Sequence, residues 1–128
     1  MKQMILLFSH TLTNSQEIDA IYNLGVGEFI YLPLELQKLW SEVSPQSDDV
    51  TAYLQPIKDF ILKSAKQEDY ILIQGDFGCT VEMVDFCKKN ELIPLYSTNK
   101  RDSKECFLED GNRVIKKSSF EHIRYRLY

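Results

Sequence analysis

The chain has 128 residues, of which 44% are hydrophobic and 27% are charged, which is typical of one folded domain. Residues 1–98 hold 7 basic and 14 acidic residues, whereas residues 99–128 hold 8 basic and 5 acidic residues. This balance argues against a protein that coats long nucleic acid, but it permits a small anionic ligand near the basic C-terminal segment. No apolar run approaches the roughly 20 residues that span a bilayer, so we expect a soluble, cytoplasmic protein without a membrane partner.

The three cysteines, Cys79, Cys87 and Cys106, include no C-x-x-C pair. Cys79 and Cys87 are eight positions apart on one predicted helix, too far apart for a disulfide bond, so we expect three free thiols in a reducing compartment. The two histidines are distant in sequence and show no metal-ligand spacing. We therefore expect neither a metal ion nor a cofactor.

The first predicted strand, Lys2–Phe8, is a nearly continuous apolar run, which is typical of a strand buried on both faces. A helix follows, with either Thr13 or Asn14 as its N-cap and Gly25 as the residue just past its end. Helical spacing predicts an inner stripe on this helix. The stripe consists of Ile18, Ile21, Tyr22 and Leu24.

The second predicted strand is Glu28–Leu32, and Pro33 ends it and begins a short helix that runs through Trp40. After a polar loop, Asp48 or Asp49 caps a longer helix. Pro56 must either kink that helix or mark its actual start.

The third predicted strand is Tyr70–Gln74, and a helix that follows it runs through Asn90. The fourth strand is Leu92–Ser97, and Pro94 favours a place at the sheet edge. Residues 99–128 predict a basic β-hairpin. Its strands are Lys104–Leu108 and Arg113–Tyr125, and its turn is Glu109–Asn112.

Strands that alternate with helices predict an α/β fold, a Rossmann-like open sheet with a parallel core in the order 2-1-3-4. We expect one domain over residues 1–128, with a core in residues 1–98 and the hairpin appended in residues 99–128. In such sheets, ligands bind beyond the carboxyl ends of the strands, where the strand order reverses between strands 1 and 3. This rule selects three loops. They are Ser9–Thr11, Gln74–Gly78 and Ser97–Arg101.

The first two loops carry groups suited to a nucleotide. His10 can give and take protons near neutral pH, unless it is only a surface residue of a polar turn. Gly75 and Gly78 would let the backbone N–H groups at a helix start approach a phosphate. Asp76 would act on a hydroxyl or an adenine amine, or alternatively would simply cap the helix.

The third loop offers the hydroxyls of Ser97 and Thr98 and the positive charges of Lys100 and Arg101, unless it is only a solvated connection to the hairpin. His122, Arg124 and Arg126 alternate along the last strand and therefore share a face. That face is either solvated or lines a partner or ligand.

Six segments of the chain resemble a small stand-alone CRISPR-associated family of the Csx series. They are LLFSHTLT (6–13), DA (19–20), LGV (24–26), YLPLELQKLW (31–40), QGDFG (74–78) and IPLYST (93–98). This family is similar to the CARF proteins, whose name denotes a CRISPR-associated Rossmann fold. The resemblance covers nearly the whole chain, is most specific at the SH and QGDFG segments, and is least specific after Lys100.

The resemblance implies a homodimer that binds cyclic oligoadenylate, with cyclic tetra-adenylate as the expected ring. It also implies a ring nuclease that ends type III CRISPR signalling without a metal ion. In that reaction a ribose 2′-hydroxyl attacks the neighbouring phosphate and leaves a 2′,3′-cyclic phosphate. A protein that binds the ring without cutting it, as a sponge or a sensor, needs the same pocket. An unrelated nucleotide-binding or interaction domain is the third alternative.

Residue roles follow from what metal-free cleavage requires. His10 is the expected acid or base, and Asp76 would orient His10 or the 2′-hydroxyl. The other expected contacts fall into four groups by what they bind. Ser9 and Thr11 would bind phosphate or ribose, Gly75 and Gly78 phosphate, Gln74 and Thr98 adenine edges, and Lys100 or Arg101 developing charge. Phe77 and Ser97 complete the expected ligand-binding set.

Overall fold

The computed structural model describes residues 1–107 and 114–128, and it describes side chains in residues 1–101 and 120–128. The elements of this part of the chain are β1 (Lys2–Leu7), α1 (Asn14–Leu24), β2 (Val26–Tyr31), α2 (Leu34–Ser41), α3 (Gln55–Ser64), β3 (Tyr70–Ile73), α4 (Phe77–Lys89), β4 (Ile93–Phe107) and β5 (Val114–Leu127). None of these helices is long and apolar enough to cross a membrane.

The strands form one mixed sheet in the order β2-β1-β3-β4-β5. The first four are parallel, which confirms the predicted order 2-1-3-4, and β5 runs antiparallel to β4. The second strand of the predicted C-terminal hairpin is confirmed as β5. The predicted first strand, Lys104–Leu108, is not a separate strand, because its described residues, 104–107, continue β4. The predicted turn of the hairpin, Glu109–Asn112, lies outside the described residues.

The core has two halves, one on each face of the sheet. Ile5 and Leu7 of β1 point into the half that α2, α3 and α4 cover. Met4 and Leu6 point into the half that α1 covers. This alternation explains why β1 is apolar at successive positions, since both of its faces are buried.

Helix α1 begins and ends as the sequence predicts, but its buried face is different. Thr13 caps it through a capping box with Gln16, and Gly25 ends it with a left-handed φ of 71°. The predicted inner stripe is confirmed at Leu24, which packs partly buried against the core, but it is wrong at Ile18, Ile21 and Tyr22, which are exposed. Gln16 and Ala20 are buried instead. The reason is that α1 packs against β5, whose Tyr125 hydroxyl donates a hydrogen bond to the Gln16 carbonyl.

Pro56 marks the start of α3 and does not kink it, because it lies in the first turn of that helix. Neither Asp48 nor Asp49 is the cap of this helix. The Asp49 carboxylate instead accepts a hydrogen bond from the Thr51 N–H in the turn that precedes it. The sequence therefore indicated an aspartate that hydrogen-bonds to the backbone at this point, but Asp49 stabilises a separate turn and not the start of α3.

Strand β4 corrects two predictions. It lies between β3 and β5, so Pro94 is not on an edge strand. Pro94 is tolerated near the beginning of β4, where its carbonyl accepts a hydrogen bond from the Tyr128 N–H. The predicted loop Ser97–Arg101 is also wrong. These residues continue β4, because β5 pairs with them after the parallel part of the sheet has ended.

Candidate functional site

A cavity of about 500 Å³ opens beyond the carboxyl ends of β1 and β3, where the sequence predicted a ligand site. We call it the strand-end cavity. The residues after β1 line one side of it, the start of α1 and the end of β3 line its floor, and β4 and β5 close it. The lining residues are Phe8, Ser9, His10, Thr11, Thr13, Gln16, Gln74, Gly75, Asn99, Phe120 and His122.

The cavity unites five of the predicted site residues and leaves the others outside its lining. Those it unites are Ser9, His10, Thr11, Gln74 and Gly75. His10 is exposed, and its ring lies edge-on to that of Phe8 with 5.3 Å between the centroids. Those outside the lining are Asp76, Phe77, Gly78, Ser97, Thr98, Lys100 and Arg101.

The Asp76 carboxylate caps α4, because its Oδ2 accepts a hydrogen bond of 3.0 Å from the Cys79 N–H. This is the structural alternative that the sequence left open for this residue. Phe77, the next residue, is 90% exposed. A Cβ on Gly78 would meet only ordinary contacts, the nearest 3.5 Å away at Asp76 Oδ2.

Packing explains Gly75. A Cβ at this position would lie 2.8 Å from Trp40 Nε1, and the Trp40 side chain is fully buried. The same indole nitrogen donates a hydrogen bond of 3.1 Å to the Gln74 carbonyl. Trp40 therefore fixes the backbone of the turn after β3, and it does so only because residue 75 has no side chain.

A chain of three polar side chains lies beneath the cavity floor. Asp19 Oδ2 is 2.6 Å from His122 Nε2, and His122 Nδ1 is 2.6 Å from Ser97 Oγ. The His122 side chain is 3% exposed, and Ser97 is 4% exposed. Each of the two alternatives for this face of β5 holds in part, because the His122 imidazole is buried and lines the cavity, whereas Arg124 and Arg126 are exposed.

The sequence held one signal for this chain. Gln16, Asp19 and Asn23 form a polar stripe at helical spacing on α1, next to the apolar stripe predicted as its inner face. Asn23 donates a hydrogen bond to Asp19. Nothing local in the sequence indicates that His122 reaches this stripe, because the two segments are about a hundred residues apart.

The environment of Asp19 favours its ionised form. Burial alone would raise the pKa of Asp19, but hydrogen bonds from Asn23 and His122 and the positive charges of His122 and Arg124 more than offset this effect. Its pKa therefore lies below the ordinary value of 3.8. A second cavity, of about 520 Å³, borders Asp19 and Arg124 on the side away from Ser97.

Ser97 connects the buried chain to the amide side chains around it. Its N–H donates to Gln74 Oε1 at 2.8 Å, and its hydroxyl lies 3.3 Å from Asn99 Oδ1. Gln16 Nε2 donates to the same hydroxyl at 3.2 Å. Gln16, Gln74 and Asn99 all line the cavity, so the hydrogen bonds of Ser97 orient the side-chain amides of its floor.

Among the residues whose side chains the structure describes, the cavity lining includes no lysine or arginine. The nearest predicted cation is Arg101, whose guanidinium lies 5.9 Å from the centre of the Phe120 ring at the cavity wall. Lys100 is exposed, and the Thr98 hydroxyl is bonded to the Arg124 carbonyl. In the described part of the chain, no group of three or more His, Cys, Asp or Glu side chains is placed to hold a metal ion.

Comparison with known proteins places this chain in one family. It is 54% identical over 128 residues to the Uncharacterized protein MJ1673 of Methanocaldococcus jannaschii, and the match covers 100% of this chain and 98% of that protein. No solved structure matches it. Residues 2–126 match the family profile described as the Uncharacterized protein MJ1673 family, and the chain therefore belongs to that family.

Proposed function

We propose that this protein is a cytoplasmic, CARF-like ring nuclease with a Rossmann-like fold, which binds and linearises cyclic oligoadenylate. The observation that carries the proposal is the strand-end cavity. The two segments of the chain that most specifically resemble the Csx series, SH (Ser9–His10) and QGDFG (Gln74–Gly78), both contribute residues to its lining. Cyclic tetra-adenylate is the ring we expect it to bind.

The cavity offers what a strained RNA ring requires. Phe120 is 68% exposed at the cavity wall, and its ring provides a surface on which an adenine can stack. The hydroxyls of Ser9 and Thr11 suit ribose and phosphate oxygens. Arg101 does not add to this support, because its positive charge lies beside Phe120 but outside the cavity lining.

Cleavage needs one proton carrier and no water molecule. His10 removes the proton of a ribose 2′-hydroxyl as its oxygen attacks the adjacent phosphorus, and the bond from phosphorus to the 5′-oxygen breaks. The leaving 5′-oxygen takes up a proton from bulk solvent, to which His10 returns the proton that it removed, so the opened ring carries a 2′,3′-cyclic phosphate and a 5′-hydroxyl. Neutral donors on the cavity floor would stabilise the charge on the phosphate oxygens.

The proposal includes a homodimer in which the ring lies across the two-fold axis. A ring of identical nucleotides has rotational symmetry, and two copies of the cavity would present the same groups to opposite halves of it. The exposed apolar residues of α1, Ile18, Ile21 and Tyr22, offer a surface that a second copy could cover.

One observation favours the alternative function, a protein that binds the ring without cutting it. His10 contacts Phe8 but forms no hydrogen bond within the described part of the chain, so nothing there orients it as a base. Asp76, the residue expected to orient it, caps α4 instead. A sponge or sensor needs the cavity but not a fixed proton carrier.

The deciding experiment is incubation of the purified protein with radiolabelled cyclic tetra-adenylate and excess EDTA, followed by separation of the products over time. Linear products with 2′,3′-cyclic phosphate ends support the ring nuclease. The variant His10→Ala should then lose cleavage but retain binding, whereas the matched surface variant Lys63→Ala should retain both. An uncut ring that shifts with the protein on a native gel supports the alternative, and absence of binding, also to cyclic hexa-adenylate, rejects both.

A further inference from the structure

Two side-chain amides in the strand-end cavity have their oxygens occupied and their nitrogens available. Gln74 Oε1 accepts the Ser97 N–H, a backbone donor that cannot act as an acceptor, so the orientation of this amide is fixed. Gln74 Nε2 has no hydrogen-bond partner within the described residues and belongs to a side chain that lines the cavity. The floor therefore presents an N–H donor at this point.

The orientation of Asn99 depends on a single hydrogen atom. Ser97 Oγ is close to Asn99 Oδ1, Gln16 Nε2 and His122 Nδ1, but its hydroxyl has only one hydrogen to donate. If that hydrogen points to Asn99 Oδ1, the 2.6 Å contact with His122 requires the imidazole to donate from Nδ1. The imidazole then also donates from Nε2 to Asp19, and His122 carries both ring protons.

The other protonation state reverses the amide. A His122 ring without a proton on Nδ1 accepts the Ser97 hydrogen, and Asn99 Oδ1 loses its donor. The Asn99 amide then gains a hydrogen bond by turning over, so that Nδ2 donates to Ser97 Oγ and Oδ1 faces the cavity. The charge of His122 thus determines whether Asn99 presents a donor or an acceptor to a ligand.

We propose that Gln74 Nε2 and Asn99 Nδ2 form a donor subsite for the oxygens of a phosphodiester, held in place by Asp19, His122 and Ser97 as positioning residues. A phosphodiester has acceptor oxygens and no N–H or O–H, so a floor of donors matches it without any lysine or arginine among the described lining residues. The choice of phosphodiester rests on the proposed function. The orientation of the Gln74 amide rests on hydrogen-bond geometry alone, and that of the Asn99 amide rests also on the protonation of His122.

The ionisable groups nearest His122 lie on helix α1 and on strand β5 itself. Helix α1 contributes the Asp19 carboxylate, which its surroundings keep ionised. Strand β5 contributes Tyr125, whose ring lies 4.7 Å from the imidazole, and Arg124, whose charge acts on Asp19. The β4 neighbours Ser97 and Asn99 are uncharged, and His10 lies on another part of the cavity wall.

The first test needs no knowledge of the true ligand. Protein labelled with ¹⁵N at histidine and at side-chain amides is examined by NMR at about pH 7. We expect His122 to carry protons on both ring nitrogens. We also expect the dinucleotide ApA, a linear phosphodiester, to shift the amide signals of Gln74 and Asn99 but not that of Asn23. An unprotonated Nδ1, or amide signals that ApA leaves unmoved, would overturn the inference.

The second test measures ring binding by calorimetry. Asn99→Ala and His122→Gln should each weaken the binding of cyclic tetra-adenylate about tenfold. The double variant should bind no more weakly than either single variant, because both changes remove the same donor. Additive losses in binding free energy would show that His122 has a merely structural role and would overturn the proposal that it positions Asn99.

The two proposals fail in different ways. If the wild-type protein cuts the ring but ApA does not shift the Gln74 and Asn99 amide signals, the proposed function stands and this subsite is rejected. If ApA shifts these amide signals but the protein neither binds nor cuts a ring, the subsite stands and the proposed function is rejected.

Discussion

The His122 imidazole and the Asp19 carboxylate are 2.6 Å apart in space and 103 positions apart in sequence. Their contact ties the last strand of the chain to its first helix, over a part of the sheet that would otherwise end at β4. It also closes one end of a hydrogen-bonded chain that reaches the cavity floor through Ser97. One contact therefore both holds β5 against α1 and determines the chemistry of the candidate site.

We expect Asp19→Asn to destabilise the protein by about 2 kcal/mol at pH 7, because it removes the charged partner of a buried imidazole. Urea unfolding followed by circular dichroism measures this change. Asn23→Ala is the control, since it removes only the exposed hydrogen bond to the outer oxygen of Asp19. The control should change stability by less than about 0.5 kcal/mol. Equal losses in the two variants would count against the role of the charge.

The same pair predicts a pH dependence. Because the pKa of Asp19 is below its ordinary value of 3.8, the folded protein binds this proton less tightly than the unfolded chain does. The carboxylate stabilises the fold fully above the unfolded-state pKa, and the contribution is lost as the pH falls through the folded-state pKa. The gap in unfolding free energy between wild type and Asp19→Asn should therefore narrow below about pH 4. A gap that widens in acid would contradict this account.

The parallel part of the sheet was predictable because its signals are local. The apolar run of β1, the capping box at Thr13 and the left-handed Gly25 each determine their element within a few residues. The rule for strand order then placed the cavity at the ends of β1 and β3. It could do so without any knowledge of side-chain contacts.

The predictions from the sequence were wrong in the segments that β5 pairs with or packs against. An antiparallel partner from the end of the chain turns residues 97–101 from a loop into a strand and brings His122 to α1. It also makes Gln16 a buried residue and leaves Ile18 exposed. These are effects of long-range pairing, and no periodicity within α1 or β4 reports them.

Gly75→Ala should destabilise the protein by about 1–3 kcal/mol, because the new methyl group would overlap the buried indole of Trp40. Gly78→Ala is the matched control in the same turn. Its added Cβ meets no contact closer than 3.5 Å, and alanine favours the helix that begins there. Thermal unfolding of the two variants should show a loss for the first and no loss for the second. The opposite order would mean that Gly75 is not constrained by Trp40.

The thiols of Cys79 and Cys87 should resist modification in the folded protein. Burial first, and then the nearby Asp76 carboxylate, raise the pKa of Cys79 to about 11, and burial raises that of Cys87 to about 12. In a Cys106→Ser background, a disulfide reagent at about pH 8 should modify neither thiol in native buffer and both in denaturant. Rapid reaction of either thiol without denaturant would show that the core around α4 opens readily.

Phe120→Ala should weaken the binding of cyclic tetra-adenylate by about tenfold or more, because stacking of a base on an aromatic ring contributes about 1–3 kcal/mol. Stability should change little, since the Phe120 side chain is 68% exposed. Leu127→Ala is the control, an equally drastic truncation of an exposed residue on the same strand that does not line the cavity. If calorimetry gives the same affinity for both variants, the ring does not stack on Phe120. The adenine sites would then have to be sought on the Phe8 and His10 side of the cavity.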